Sequence, residues 1–166
     1  MTAAELCRLS NDELAEVMAS APTFDPVTLA GSVYRGTSLG LPGWIERLTW
    51  KKFAKAFARE GDHVHGWNIR VEQDSLERPW RPRRRAGAPI TFGPFAVKVT
   101  STGVVLDYNV RGGLMRALRD PLIALDADAD LLLGRSLLAI GSRRLPTPSF
   151  FTLERDRTLG PSSSLR

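Results

Sequence analysis

Few side chains in this 166-residue chain have types and spacing that suit chemistry. His63 and His65 stand two apart, so on a strand both imidazoles share one face and could reach one metal ion. A third ligand would have to come from elsewhere, and no further histidine supplies it. A neutral His65 offering a hydrogen bond inside a pocket fits the pattern better, and an ordinary structural histidine fits better still. Asp126-Ala-Asp128-Ala-Asp130 opens like a calcium loop, but Leu131 stands where the sharp turn needs glycine and Leu137 where a bidentate glutamate belongs, so a solvated acidic turn is expected. Gly31 to Gly36 lacks the lysine and hydroxyl of a phosphate-binding loop and reads as glycines at strand bends. No Gly-x-Ser-x-Gly elbow occurs. These residues name no catalytic group, metal or cofactor.

Two other constellations suit binding. Tyr34, Trp50, Phe53, Trp67 and Tyr108 are the pocket candidates, because a small barrel can enclose one apolar ligand held by a few polar handles. Arg35, His65 and Arg135 would be those handles, Arg135 because it shares strand parity with Leu131, Leu133 and Leu137. Arg78, Trp80, Arg81, Arg83, Arg84 and Arg85 interleave cations with one aromatic, which suits phosphate contacts plus stacking on a weak anionic partner.

The net charge of +5 suggests nucleic acid until it is located. Setting aside the five arginines of residues 78–85 leaves 18 basic against 18 acidic residues, so the basicity belongs to one loop. A hydrophobic content of 43% is enough for one domain, residues 1–157, to bury a core without disulfides, and the lone Cys7 can form no internal bridge. No apolar run approaches the ~20 residues that span a bilayer. Glu5, Asp12 and Glu13 near the start do not resemble a secretory signal, so a cytoplasmic protein is expected.

The elements that must position these groups follow from periodicity. Thr2 to Glu5 and Ser10 to Glu13 have capping-box spacing, which predicts short helices within residues 2–20, with Leu14, Val17 and Met18 as a stripe packed over the body. Leu29 to Ser38 reads as a strand. Trp44 to Phe57 reads as a helix, with Trp50, Phe53, Ala54 and Phe57 in the core and Lys52 and Lys55 in water. From His63 to Val71 the period is two, which predicts a strand with His63, His65, Trp67, Ile69 and Val71 on its inner face. Residues 74–89 form a long exposed loop. Phe95 to Val110 is a hairpin turning at Ser101-Thr102-Gly103. Leu114 to Asp120 is a helical turn or loop. Pro121 to Leu125, Leu131 to Ile140 and Phe150 to Glu154 close the sheet, with turns at residues 126–130 and 141–148. The Gly, Pro and Ser-rich residues 158–166 are a disordered tail.

Gly31 to Gly36, Trp50-Lys-Lys-Phe53, Val105 to Asn109, Leu133 to Gly141 and Phe150 to Arg155 occur in the order that resembles proteins with a GXWXG motif joined to a domain of unknown function. Ser32 and Tyr34 replace the first glycine and the tryptophan of that motif. The resemblance spans about Leu29 to Arg155 and implies a small lipocalin-like barrel, with no established activity or site to carry over. The expected fold is therefore mainly β, a small antiparallel barrel of six or seven strands or more with N-terminal helices and a helix after the first strand. The expected function is binding of an apolar or amphipathic small molecule. The alternatives are an interaction module binding nucleic acid or acidic lipid through residues 78–85, and an enzyme of unspecified reaction.

Overall fold

The computed structural model describes residues 1–40, 51–110, 115–140 and 143–156. Both N-terminal helices begin where a hydroxyl and a carboxylate cap each other. Glu5 N donates to Thr2 Oγ1 at 3.3 Å and Thr2 N to Glu5 Oε2 at 2.7 Å at the start of α1 (Ala3–Leu6); Ser10 and Glu13 repeat this at α2 (Asn11–Ser20). After a 3-10 turn at Pro26–Leu29 the described residues lie mostly in strands. The strands are β1 (Val33–Leu39), β2 (Lys52–Glu60), β3 (His63–Ile69), the two-residue β4 (Arg84–Arg85) and β5 (Ala88–Pro89), then β6 (Thr91–Thr100), β7 (Gly103–Asp107), β8 (Leu118–Ala124), β9 (Leu131–Ile140) and β10 (Arg143–Arg155). Eight of them close a barrel in the order β1-β10-β9-β8-β7-β6-β3-β2, every neighbour antiparallel. Closure leaves the wall no unpaired edge.

Alternation divides each strand between an inner and an outer layer. Tyr34, Phe57, Val64, Phe95, Val104, Leu106, Leu122, Leu132 and Leu153 meet inside and fill one end of the barrel. Leu29 of the 3-10 turn joins them there. Outside, Leu6 and Leu14 of the helices cover Leu39, Leu131, Leu133 and Phe150, so the helices pack on the wall formed by β1, β10 and β9. The acidic turn between β8 and β9 is structural. Asp126 accepts from Asp130 N and Leu131 N, both at 2.8 Å, and Asp130 pairs with Arg155 Nε at 2.6 Å.

Several expectations are corrected. Residues 52–57 are strand β2 and not helix; residues 41–50, including Trp50, lie outside the described residues. The i, i+3, i+4, i+7 pattern deceived because the true alternation, Phe53-Lys55-Phe57, carries a cation in its middle. Pairing with β1 and β3 overrides the modest strand preference of the Ala and Lys positions between the aromatics. Lys52 and Lys55 are accordingly buried at 1% and 3% exposure, not in water. The face of β3 is inverted: Val64, Gly66 and Asn68 point inward, whereas His63, His65, Trp67 and Ile69 point outward. That outer face looked like a core face because Val33, Ala54, Ala56, Ile69 and Val71 form a second apolar layer there, against which Trp67 and Trp80 pack.

Residues 74–89 are no plain loop. Arg83 N donates to Arg70 O at 2.8 Å and Glu72 N to Arg81 O at 2.9 Å, and β4 with β5 makes a small hairpin, so the segment straps across the outer wall. Residues 118–120 begin β8 in place of the expected helical turn or loop, and β10 starts at Arg143, inside the expected turn, with a register shift between Pro146 and Phe150. The expected tail, residues 158–166, lies outside the described residues.

Candidate functional site

The end of the barrel opposite Tyr34 is not filled. A cavity of about 170 Å³ lies there, walled by Phe53, Phe92, Met115, Leu118 and Phe151, with Ser38, Ser136 and Ser149 on its sides. Lys55, Asn68, Tyr108 and Asp120 form its floor. Two glycines make the apolar wall possible. A Cβ at Gly36 would come within 2.2 Å of the Phe53 ring, and one at Gly134 within 2.3 Å of the Phe151 ring, so both rings lie flat on bare backbone. Phe53 and Phe151 then meet edge to face, centroids 5.8 Å apart.

Four strand contexts bring the polar floor together: β2 supplies Lys55, β3 Asn68, the residue after β7 Tyr108, and β8 Asp120. Lys55 Nζ donates to Asn68 Oδ1 at 2.8 Å and to Tyr108 Oη at 2.5 Å, and stands 3.8 Å from Asp120 Oδ2. Asn68 is fixed in turn, its amide donating to Gly93 O at 3.0 Å. The rings of Phe53, Phe95, Tyr108 and Phe151 surround the ammonium at 5.2 to 5.3 Å. Asp120 Oδ1 is buried and accepts no hydrogen bond among the described residues.

Burial dominates the electrostatics. It pushes the Lys55 amine down to about 8, with Asp120 pulling the other way. It raises the Asp120 carboxyl, opposed by Lys55 and by the Ser136 and Tyr108 side chains, and it raises the Tyr108 phenol well above its ordinary value, Asp120 adding to the effect. Burial thus moves the proton affinities of the Lys55 amine and the Asp120 carboxyl toward each other on a floor that borders an open space.

Of the expected pocket residues, Phe53 and Tyr108 line this cavity. Tyr34 is inside the barrel but at the filled end, its hydroxyl donating to Ala129 O at 2.8 Å. Arg35 is on the outer wall, 3.7 Å from Asp156 and 5.6 Å from the Trp80 ring. His65 and Trp67 are outside as well, their rings 6.2 Å apart. Arg135 does share parity with Leu131 and Leu133, but those residues face the helices, and its guanidinium lies 4.7 Å over Phe150. Lys55, Asn68 and Asp120 were missed. The available signal was one charged residue in the middle of each alternating inner face, Lys55 between Phe53 and Phe57 and Asp120 between Leu118 and Leu122.

The arginine-rich strap presents Arg81, Arg84 and Arg85 to solvent, while Arg83 pairs with Glu72 at 3.7 Å and Arg78 O accepts from Lys52 Nζ at 3.2 Å. Trp80 is turned toward the wall. Its indole donates to Gly36 O at 3.3 Å and Lys52 Nζ sits 4.5 Å over its ring. A wider hollow of about 520 Å³ lies between residues 22–28 and 124–127 on the surface, but no buried charged group converges on it. Among the described residues no helix is long and apolar enough to cross a membrane. No protein-family model matches the chain, and no curated protein matches it.

Proposed function

We propose that the chain is a cytoplasmic binding protein for a small, neutral, amphipathic molecule, held with its apolar body against Phe53, Met115 and Phe151 and its polar group against Lys55, Asn68, Tyr108 and Asp120. The observation that carries this reading is the open cavity set directly on a buried polar cluster. A volume of about 170 Å³ is close to the ~150 Å³ that accommodates a benzene ring and below the ~300 Å³ at which drug-sized pockets begin. A single ring or a short chain fits, whereas a tetrapyrrole does not. The described lining holds one cation, Lys55, and one anion, Asp120, so it offers no surplus charge to an anionic ligand. Kinship with GXWXG-motif proteins belongs to the same proposal, since a lipocalin-like barrel suits such a ligand.

Native mass spectrometry and thermal shift with benzyl alcohol test it. Stabilisation that saturates with benzyl alcohol and disappears in Ser149→Leu, which pushes a side chain into the cavity, is the expected result; no stabilisation by any small neutral ring compound would refute the reading. The second reading, an interaction module, draws on the exposed Arg81, Arg84 and Arg85. Without a free Trp80 ring to stack on bases it reduces to phosphate contacts that weaken steeply with salt. Replacing Arg81, Arg84 and Arg85 by Ser should then abolish low-salt retention on an anionic matrix.

A further inference from the structure

Lys55 is placed unlike the chain's other lysines. Lys52 is equally buried but is held at 2.5 Å by Asp74 and by the carbonyls of Ser75 and Arg78, away from the cavity. Lys98 is exposed and paired with Asp107 at 2.5 Å. Lys55 alone among the described lysines faces the cavity, with its carboxylate at 3.8 Å and a neutral phenol nearer than that carboxylate. A buried pair without close, bidentate contact recovers little of its desolvation cost, so stability is a poor reason for this arrangement. Desolvation and aromatic walls are also the conditions under which a lysine amine becomes a nucleophile toward carbonyl carbon.

Resting on the binding reading above, we propose that Lys55 captures a small neutral aldehyde or ketone in the barrel cavity as a reversible imine, with Asp120 and Tyr108 moving the protons. The Lys55 ammonium first gives a proton to Asp120, leaving a neutral amine and a carboxylic acid. The amine lone pair attacks the carbonyl carbon, a C–N bond forms, and the carbonyl π pair moves to oxygen. That oxygen takes up the proton the nitrogen sheds, passed through the Tyr108 hydroxyl, to give a carbinolamine. The Asp120 acid then protonates the carbinolamine hydroxyl, which leaves as water while nitrogen forms the C=N bond. Protonated imine and Asp120 carboxylate remain, so charge is the same at the start and the end, and no oxidant or reductant is needed. Burial raises the Asp120 carboxyl and lowers the Lys55 amine, which makes the first proton transfer less unfavourable.

Benzaldehyde with sodium cyanoborohydride at pH 7.5 traps an imine as a benzyl amine that peptide mapping can place. The chain has four lysines, of which Lys52 controls for burial away from the barrel cavity and Lys98 for exposure. Labelling of Lys55 about ten-fold or more faster than Lys98, slowed by benzyl alcohol while Lys98 is not, is expected. In Tyr108→Phe the Lys55 rate should fall about ten-fold or more. Lys55→Met/Asp120→Leu, which removes both buried charges together, should fold and lose the selective label. Benzyl alcohol binding without selective labelling of Lys55 overturns the imine and leaves the binding reading standing. Absence of both binding and selective labelling overturns the two together.

Discussion

At the scale of single residues, the energetics turn on Lys55 and Asp120. Lys55→Met leaves a carboxylate buried without its cation and is expected to cost about 3–5 kcal/mol at pH 8 in urea unfolding. Adding Asp120→Leu should restore most of that loss. Because burial raises the Asp120 carboxyl, protonation relieves the orphaned charge, so the penalty of Lys55→Met should shrink as pH falls toward 5. The lysine has the opposite sense. Its folded value of about 8 lies below the ordinary 10.5, so between those values the unfolded chain binds the extra proton. The cost of the buried charge is therefore full below pH 8 and relieved as pH rises toward 10.5. Subtracting the Lys55→Met urea midpoint from that of the wild type across pH 8 to 10 should show this rise; a flat difference would mean that Lys55 is not desolvated.

Elements carry the shape of the cavity. Gly134→Ala places a Cβ within 2.3 Å of the Phe151 ring and 2.7 Å of Leu122 Cδ2 in a packed wall. The ring must swing into the cavity, at a cost of about 1–3 kcal/mol, and benzyl alcohol binding should weaken with it. Unchanged affinity would mean that Phe151 does not border the ligand. The hairpin of β6 and β7 was legible in the sequence, because Val97 and Val99 alternate with Lys98 and Thr100 and a turn, whose Gly103 has φ +114°, leads into the apolar run Val104 to Leu106. The start of β8 was not, since a charge, Asp120, interrupts the inner alternation of Leu118 and Leu122, and the segment owes its extension to pairing with β7 and β9.

For the whole molecule, the helices and the strap act as an outer skin on a closed wall. Deleting residues 1–20 removes the fully buried Leu6 and Leu14 and uncovers Leu39, Leu133 and Phe150. The expected loss is about 3–6 kcal/mol, from roughly 1.5–3 kcal/mol for each leucine, with new binding of a hydrophobic dye. A truncated chain as stable as the full one would show that the wall needs no such cover. The same skin explains why reading faces from apolar residues failed at His65, Trp67 and Arg135. Where both sides of a strand are covered, alternation no longer says which side is inside.

Local rules were enough to foresee capped helices at Thr2 and Ser10, extended segments bounded by glycine and acidic turns, and a sheet with reason to curl shut, because each depends on neighbours a few residues apart. The inward direction of Lys55, Asn68 and Asp120 was settled only when β2, β3 and β8 took their places around one closed wall. Burying a charge is favourable only where another strand delivers its partner. Asp120 lies 65 residues along the chain from Lys55, and no pattern within either segment announces that they meet.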